Sequence, residues 1–165
     1  MIHIKPTIDF ERIRQIAFQT WPSTYVNIVP QEQISYMLEK FYNNSILEEN
    51  YTEKNHLFLM AFQDQKAVGF ASFEHFYLKK SITRVHKIYI LPEVQGLGIG
   101  KKLIQEIETL SLNKACNILN LNVNKFNNAI YFYKKNGFEV IKEEQIQLEF
   151  GYIMDDFVMQ KSLTL

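Results

Sequence analysis

The sequence has few or none of the features that disulfide-bonded, nucleic-acid-binding and membrane proteins require. Cys116 is the single cysteine among 165 residues, which excludes an internal disulfide and favours a reducing compartment. The 18 basic and 18 acidic side chains cancel, so no net charge draws the chain to nucleic acid or to an anionic membrane. The longest fully apolar run, residues 57–62, is far too short to span a bilayer, and the first residues lack the apolar stretch of a signal peptide. These absences predict a soluble, cytoplasmic protein with neither nucleic acid nor a membrane as its partner.

The residues that are present predict one folded domain over residues 1–165. Hydrophobic residues make up 47% of the chain, which is enough for a core of its own at this length. No internal repeat or low-complexity tract divides the sequence. No group of His, Cys and Asp has the spacing of metal ligands, so the sequence predicts no metal site.

The pattern of apolar residues predicts an α/β protein of the α+β kind. The expected element order is β-α-α-β-β-β-α-β-α-β-β, with helices on both faces of a mixed, mostly antiparallel sheet. The first helix should end before Trp21-Pro22, because the residue before a proline disfavours helical backbone. A hairpin should turn at Gln63–Lys66. Strand 118–123 should lie parallel to the apolar strand 88–91, joined to it by a helical crossover.

A glycine-rich stretch between a strand and a helix is the most informative part of the chain. The apolar strand ends at Pro92, the sequence QGLGIG follows at residues 95–100, and Lys101 opens an amphipathic helix. The first amides of a helix have no helical partner and point at what precedes them, so this turn is a seat for a phosphate. Glycines keep side chains out of that seat and allow positive φ. A plain glycine-rich turn is the alternative, since the spacing fits neither a P-loop nor a dinucleotide fingerprint.

Two blocks of the sequence together resemble a known superfamily. Gln95-x-x-Gly98-x-Gly100 after the apolar strand is similar to the pyrophosphate-binding signature of the GNAT superfamily of acetyl-CoA-dependent N-acetyltransferases. Residues 119–138, which read LNLNVNKFNNAIYFYKKNGF, are similar to that family's strand, Asn-containing loop, helix with a late tyrosine, and closing Gly-Phe. Two matched blocks in order are more specific than either alone, and they cover about the last half of the chain.

The resemblance implies a fold and a cofactor. In the GNAT fold a parallel central pair of strands is splayed to hold acetyl-CoA, whose pantetheine arm bonds to strand backbone as an extra strand would. The implied cofactor-binding residues are strand backbone, the glycine turn, two asparagines and a tyrosine. By number they are Ile88, Tyr89, Ile90, Gln95, Gly96, Leu97, Gly98, Ile99, Gly100, Lys101, Asn122, Asn127 and Tyr133. Asn127 lies one residue nearer its helix than the corresponding residue of many relatives, so a helix cap alone is the alternative for it.

The resemblance also implies the catalytic groups. Tyr133 stands where the family places the tyrosine that protonates the coenzyme A thiolate, and a phenol, with a pKa of about 10, keeps its proton at neutral pH. The alternative is a core aromatic, since Tyr131 and Phe132 adjoin it. His86 stands where many relatives carry a glutamate and is the candidate general base, with Glu74 or water as alternatives.

The implied function is transfer of an acetyl group from acetyl-CoA to a primary amine by direct attack. The region from Trp21 to Pro30 and the tail from Gly151 resemble a bacterial subgroup that includes polyamine acetyltransferases, so a polyamine-like small molecule is favoured over a peptide. The implied substrate-binding residues are Trp21, Tyr25, Glu74 and Asp155, and Asp156 beside Asp155 could also receive a cation. The rival is a non-catalytic sensor or interaction module that holds acyl-CoA, and it would need neither Tyr133 nor a base. A homodimer stays open as a further partner.

Overall fold

The computed structural model describes residues 1–164, which form a seven-stranded sheet and five α-helices. In chain order the elements are β1 (Ile2–Pro6), α1 (Phe10–Tyr25), α2 (Gln31–Tyr42), α3 (Asn44–Thr52), β2 (Leu57–Gln63), β3 (Lys66–Glu74), β4 (Ile82–Ile90), α4 (Ile99–Asn113), β5 (Ile118–Asn124), α5 (Ala129–Lys135), β6 (Glu139–Gln147) and β7 (Ile153–Ser162). The predicted order is confirmed, with the short helix α3 added after α2. None of the helices within residues 1–164 has the length and apolar character that crossing a membrane requires.

The sheet is mixed and mostly antiparallel, as predicted. Its strand order is β1-β2-β3-β4-β5-β7-β6, and β4 with β5 is the parallel pair. Helices α1 and α4 both pack against β3 and β4 but have few contacts with each other, so they cover opposite faces of the sheet. The GNAT-type fold class implied by the sequence is therefore confirmed.

The two parallel strands pair along only part of their length. Ile82–Val85 of β4 pair with Ile118–Leu121 of β5, and beyond these residues the strands separate. The expected splay is present and β5 lies parallel to β4 as predicted, with the pairing confined to residues 82–85 of β4. The strand begins earlier than the apolar run suggested, because the polar-looking segment before that run still buries Thr83 and Val85. The paired half thus lies below the splay and the apolar half borders it.

The first helix runs through the proline at which it was predicted to end. Helix α1 continues to Tyr25 with Pro22 inside it, although an internal proline removes a helical hydrogen bond and costs about 3 kcal/mol. The hydroxyl groups of Ser23 and Thr24 each donate to the Thr20 carbonyl at 3.0 Å, so the helix end gains side-chain bonds. Burial of Trp21, which is 4% exposed, adds the larger gain. Tertiary packing therefore overrides the local proline signal.

The remaining local predictions concern the hairpin and the long helix. The β2–β3 hairpin is confirmed, with Asp64 in the left-handed region at φ +55° and Gln63 paired with Lys66. Helix α4 begins at Ile99, two positions before the predicted Lys101. Its apolar face, which includes the fully buried Leu103 and Ile107, packs on the sheet beside the splay. This packing fixes the start of α4 at the mouth of the splay.

Candidate active site

A cleft of about 1170 Å³ lies at the splay between β4 and β5. Helices α1 and α2, strands β4, β5 and β7, the glycine turn and helix α5 all contribute to its walls. Most of the site residues expected from the sequence line this cleft. Three of the expected residues do not line it: Leu97, which is 57% exposed, and the carboxylates Glu74 and Asp155.

The glycine turn leaves open space in front of the first amides of α4. Gly96 and Gly98 have φ of +84° and +81°, and a Cβ placed on either would meet no heavy atom within 4 Å. The first helical hydrogen bond runs from Lys102 N to Gly98 O at 3.1 Å, so the N–H groups before Lys102 have no helical acceptor. The Gln95 side chain donates to Ile90 O at 3.1 Å and ties the turn to the end of β4. The turn therefore fits a pyrophosphate group.

Gly100 has a different role from the one expected. It lies within the helix and has no positive φ, and a Cβ there would come within 3.1 Å of the Phe132 ring. This glycine allows α4 and α5 to approach closely. It does not clear space for a phosphate.

The upper half of β4 offers one edge of its backbone to the cleft. Ile88, Tyr89 and Ile90 pair with β3 on one side, opposite Ala71, Phe70 and Gly69, and have no strand partner on the side of β5. An extended chain of amide groups can bond to such an edge as an added strand does. These residues stand where the sequence placed the pantetheine contact.

Aromatic side chains form the wall of the cleft next to that edge. The Tyr25 and Tyr89 hydroxyls are 2.9 Å apart, and the Trp21 ring packs against both rings at centroid distances of 4.7 and 5.6 Å. Burial raises the pKa of Tyr89 well above its ordinary value, and the neighbouring Tyr25 raises it further. Trp21 and Tyr25 thus reach the cleft wall through the continuation of α1 past Pro22.

Tyr133 lies in the same cleft on helix α5. Its side chain is 6% exposed, and its ring packs edge-on against Phe132 and Phe138. Burial, together with the nearby Tyr25 phenol, raises the pKa of Tyr133 far above that of a free phenol. The hydroxyl therefore keeps its proton at neutral pH, as a proton donor to a thiolate must.

His86 lines the cleft, and its side chain is hydrogen-bonded to a residue outside the cleft. Strands β3 and β4 shift register here, with Ser72 opposite Lys87 and Phe73 opposite Val85, so His86 has no cross-strand partner. Its Nε2 bonds to Glu74 Oε1 at 2.8 Å. Burial, the charges of His56 and Lys87, and the more distant Arg84 lower the pKa of His86 to about 2. The imidazole is therefore neutral and weakly basic.

His56 completes a cluster that no sequence spacing revealed. Its ring stacks on the His86 ring at 3.9 Å and 14°, and ligand atoms of His56, Glu74 and His86 all lie within 4.8 Å of one another. Three such groups can hold a metal ion, but the lone pairs of parallel stacked rings run side by side and do not converge as zinc ligands do. Burial and the charges of Lys87 and Lys54 lower the pKa of His56 to about 4. The arrangement supports His86 by a hydrogen bond to Glu74 and by stacking of the His56 ring.

The two asparagines have partners within the protein. Asn122 accepts from Arg84 Nη2 at 2.6 Å and donates to Asp156 Oδ2 at 3.3 Å, so its side chain belongs to a polar network on the floor of the cleft. Asn127 accepts from Ala129 N at 2.9 Å and so bonds the first amide of α5 from one residue before the N-cap, which is Asn128. Both residues line the cleft.

The adjacent aspartates of β7 point to different surroundings. Asp155 pairs with Lys125 at 2.9 Å and lies outside the cleft. Asp156 is 3% exposed and lines the cleft. Both aspartates were candidates to receive a cation, with Asp155 predicted as the substrate-binding residue, and the alternation of the strand brings Asp156 to the cleft. A residue that no sequence pattern singled out is Lys87, whose pKa burial lowers to about 8 and whose ammonium lies over the Tyr42 ring in the cleft wall.

Comparison with known proteins gives the same family for the whole chain. A family model described as an acetyltransferase (GNAT) domain matches residues 26–153. A spermidine N(1)-acetyltransferase from Thermoplasma acidophilum is 30% identical over 158 residues, which cover 93% of this chain and 91% of that protein.

Solved structures show the same fold. The crystal structure of the PaiA N-acetyltransferase from Thermoplasma acidophilum, in complex with coenzyme A, superposes with a TM-score of 0.81 at 27% identity, over 98% of this chain and 99% of that one. The ribosomal-protein-S18-alanine N-acetyltransferase from Escherichia coli shares the fold with a TM-score of 0.74 at 18% identity, over 100% of this chain and 96% of that one. Since the family model spans most of the chain and one relative matches nearly all of it, this protein belongs to the GNAT family of N-acetyltransferases, which use acetyl-CoA.

Proposed function

We propose that this protein transfers the acetyl group of acetyl-CoA to a primary amine of a polyamine. The observation that carries the proposal is one cleft that joins an unpaired strand edge, an open glycine turn and the buried phenol of Tyr133. The polyamine part is supported by the similarity to a spermidine N(1)-acetyltransferase over nearly the whole chain.

The residues of the cleft fit acetyl-CoA in two places. The amides before Lys102, with Gly96 and Gly98 in front of them, would hold the pyrophosphate. The free edge of β4 at 88–90 would hold the pantetheine arm. Acetyl-CoA, when bound, supplies the activated acetyl thioester. The chain's own task is to orient it against the amine and to move two protons.

Tyr133 is the proposed donor of the proton that the departing sulfur needs. Its raised pKa keeps the proton on the phenol until negative charge develops on the sulfur. The nearby Tyr25 and Tyr89 hydroxyls keep this wall of the cleft polar but uncharged. The site therefore contains the donor that a non-catalytic sensor would not require.

The acceptor side of the cleft suits a chain that carries several positive charges. Asp156 lies at the floor of the cleft, and Glu144 faces it across the β6–β7 ladder. A polyamine carries ammonium groups separated by flexible apolar spacers. The methylene spacers can pack on Trp21 and Tyr25, which form the apolar wall beside these carboxylates.

The proposal is tested by screening amines with acetyl-CoA and a thiol-detecting reagent. Spermidine, spermine and putrescine should release coenzyme A with a higher kcat/KM than free lysine, an amino-terminal peptide or an aminated sugar. Preference for the peptide would overturn the polyamine assignment while leaving the acetyltransferase intact. Binding of acetyl-CoA by calorimetry without turnover of any amine would overturn the enzymatic proposal and favour the sensor.

A further inference from the structure

The cleft contains a buried carboxylate, that of Asp156, which has no part in the roles proposed so far for Tyr133 and for the residues that would bind acetyl-CoA. Asp156 lies on β7 opposite Asn124 of β5, in the splayed part of the sheet, and is 3% exposed. It shares the cleft with Tyr25 and Tyr133. The carboxylate therefore lies in the same cleft as the proposed proton donor.

No cation of the protein neutralises this carboxylate. Within residues 1–164, Asn122 is the one side-chain donor to Asp156, through Oδ2 at 3.3 Å, and no salt bridge reaches it. The nearest guanidinium, that of Arg84, bonds to Asn120 and Asn122. A carboxylate that is buried with one weak donor is costly unless a cation from outside completes it.

A second carboxylate makes the need for an outside cation greater. Glu144 is the cross-strand partner of Asp156 on β6, and its Oε2 takes the same Asn122 amide at 3.5 Å. Like charges directly opposite each other in a ladder destabilise the sheet. An ammonium group bound at Asp156 would offset both the cost of burying the charge and the repulsion from Glu144.

We propose that Asp156 is the catalytic residue that receives the acceptor's ammonium group and takes its proton. This inference rests on the proposed acetyl transfer and adds the group that prepares the amine. The proton leaves the ammonium nitrogen for Asp156, and the freed lone pair forms the new C–N bond as the C–S bond breaks. Sulfur receives a proton from Tyr133, whose proton is replaced by the second one lost from nitrogen, and Asp156 returns its proton to water. Two protons leave the nitrogen and one net proton is released.

The groups around Asp156 make it a better base than an exposed aspartate. The pKa of Asp156 is raised to about 6, mainly by burial, and the charges of Glu144 and Asp155 raise it as well. The hydrogen bond from Asn122 and the charge of Arg84 lower this pKa, but by less. From α1, the Tyr25 hydroxyl faces the same space as a neutral group. A base of this strength is ionised at neutral pH and still accepts a proton, which His86 with its pKa lowered to about 2 does far less well.

The experiment is the pH dependence of kcat/KM for the best amine in the screen, in the wild type and in Asp156→Asn. The wild-type profile should rise through a pKa near 6 and then level, because the ionised carboxylate and the ammonium form of the amine react together. The Asp156→Asn enzyme should lose about 10²–10⁴ in kcat and lose this limb. Its residual rate should instead climb toward the pKa of the free amine, about 10, because only neutral amine can react.

Three further variants distinguish the proposed role of Asp156 from the effects of neighbouring residues. Asp155→Asn is the matched control, since that carboxylate is paired with Lys125 outside the cleft; it should keep the limb and lower its pKa by less than Glu144→Gln does, because Asp155 raises the pKa of Asp156 less than Glu144 does. Glu144→Gln should move the limb to lower pH, because a like charge that raises the pKa of Asp156 is removed. His86→Ala should keep the limb. If His86→Ala erases the limb and Asp156→Asn keeps it, the proton acceptor is His86 and the inference is overturned.

An observation that needs no turnover completes the test. The ¹³C carboxyl resonance of Asp156, assigned with the Asp156→Asn variant, should titrate well above the ordinary aspartate range in the free protein. Titration in the ordinary range overturns the inference, whatever the kinetics show. If the wild type acetylates an amine but the Asp156→Asn profile is unchanged, only this inference fails. If the wild type acetylates no amine, the proposed function is wrong, and the proposed role of Asp156 is then wrong as well.

Discussion

Burial sets the protonation of the two residues that we propose for proton transfer. Loss of water disfavours the charged form of any group, so the same cause keeps the proton on the Tyr133 phenol and makes the Asp156 carboxylate more basic. One group is thereby prepared to give a proton and the other to take one. Their pKa values are pushed in the same direction, and their roles differ because a phenol and a carboxyl start from different sides of neutral pH.

The Tyr133→Phe variant tests the donor, because the ring and its packing remain and only the hydroxyl is lost. We expect kcat to fall by about 10²–10⁴, the usual contribution of a positioned acid, with little change in acetyl-CoA affinity. Steady-state kinetics and calorimetry measure the two effects.

Tyr131 provides the matched control for Tyr133 on the same helix. Its side chain is 72% exposed, so Tyr131→Phe should keep the wild-type kcat. A Tyr133→Phe enzyme that turns over as fast as the Tyr131→Phe enzyme would show that water or another group protonates the thiolate.

At the scale of one element, the glycine turn works through its backbone. Gly96 and Gly98 adopt positive φ, and the helix that follows aims its first amides at the space in front of them. The helix dipole favours an anion in the same place. Gly100 serves a different purpose, since it lets α4 lie against Phe132. The three glycines of one motif therefore meet two separate physical requirements.

We expect Gly98→Ala to lower coenzyme A affinity by roughly 10- to 100-fold, or about 1.4–2.7 kcal/mol. Its methyl group would project into the open space in front of the helix, and φ of +81° strains any residue that has a Cβ. Calorimetry with coenzyme A measures the affinity.

Gly151→Ala controls for the backbone strain alone. Gly151 has φ of +75° and equally open surroundings, but it lies in the β6–β7 connection away from the glycine turn. Both variants should lose a similar amount of stability, and only Gly98→Ala should lose affinity. Equal affinity in the two variants would contradict the assignment of the phosphate seat.

For the whole molecule, the acceptor site carries a cost in stability that depends on pH. The pKa of Asp156 is raised from 3.8 to about 6 on folding, so between these values the folded state binds more protons than the unfolded state. Stability therefore falls as pH rises through this window, by at most roughly 3 kcal/mol for this one group. Glu144, which faces Asp156 across β6 and β7, adds to this cost by like-charge repulsion.

We expect Asp156→Asn to be more stable than the wild type above pH 6, with the gain shrinking toward zero near pH 4. The amide has no charge to bury and can still bond to Asn122. Urea unfolding of both proteins across this range measures the difference. Asp155→Asn, whose partner Lys125 lies near the surface, should show no such pH-dependent gain. A constant difference between Asp156→Asn and wild type at every pH would contradict the raised pKa.

Much of this protein followed from local patterns in its sequence. The strand, glycine turn and amphipathic helix around Gln95–Lys101 are local in the chain, so periodicity and the glycines were enough to predict the phosphate seat. The family's second block located Tyr133 in the same way. Where a local signal and tertiary packing disagreed, packing decided, since burial of Trp21 and Tyr25 carried α1 past Pro22.

The half of the cleft that we propose holds the acceptor was decided only by tertiary structure. His56 directly precedes β2, whereas Glu74 and His86 lie on β3 and β4, and their contacts depend on a register shift that no periodicity shows. The choice between Asp155 and Asp156 likewise depends on the pairing of β7 with β5 and β6, which turns one carboxylate toward Lys125 and the other into the cleft. Burial and neighbouring charge, which set how basic each group is, exist only once distant segments are packed together.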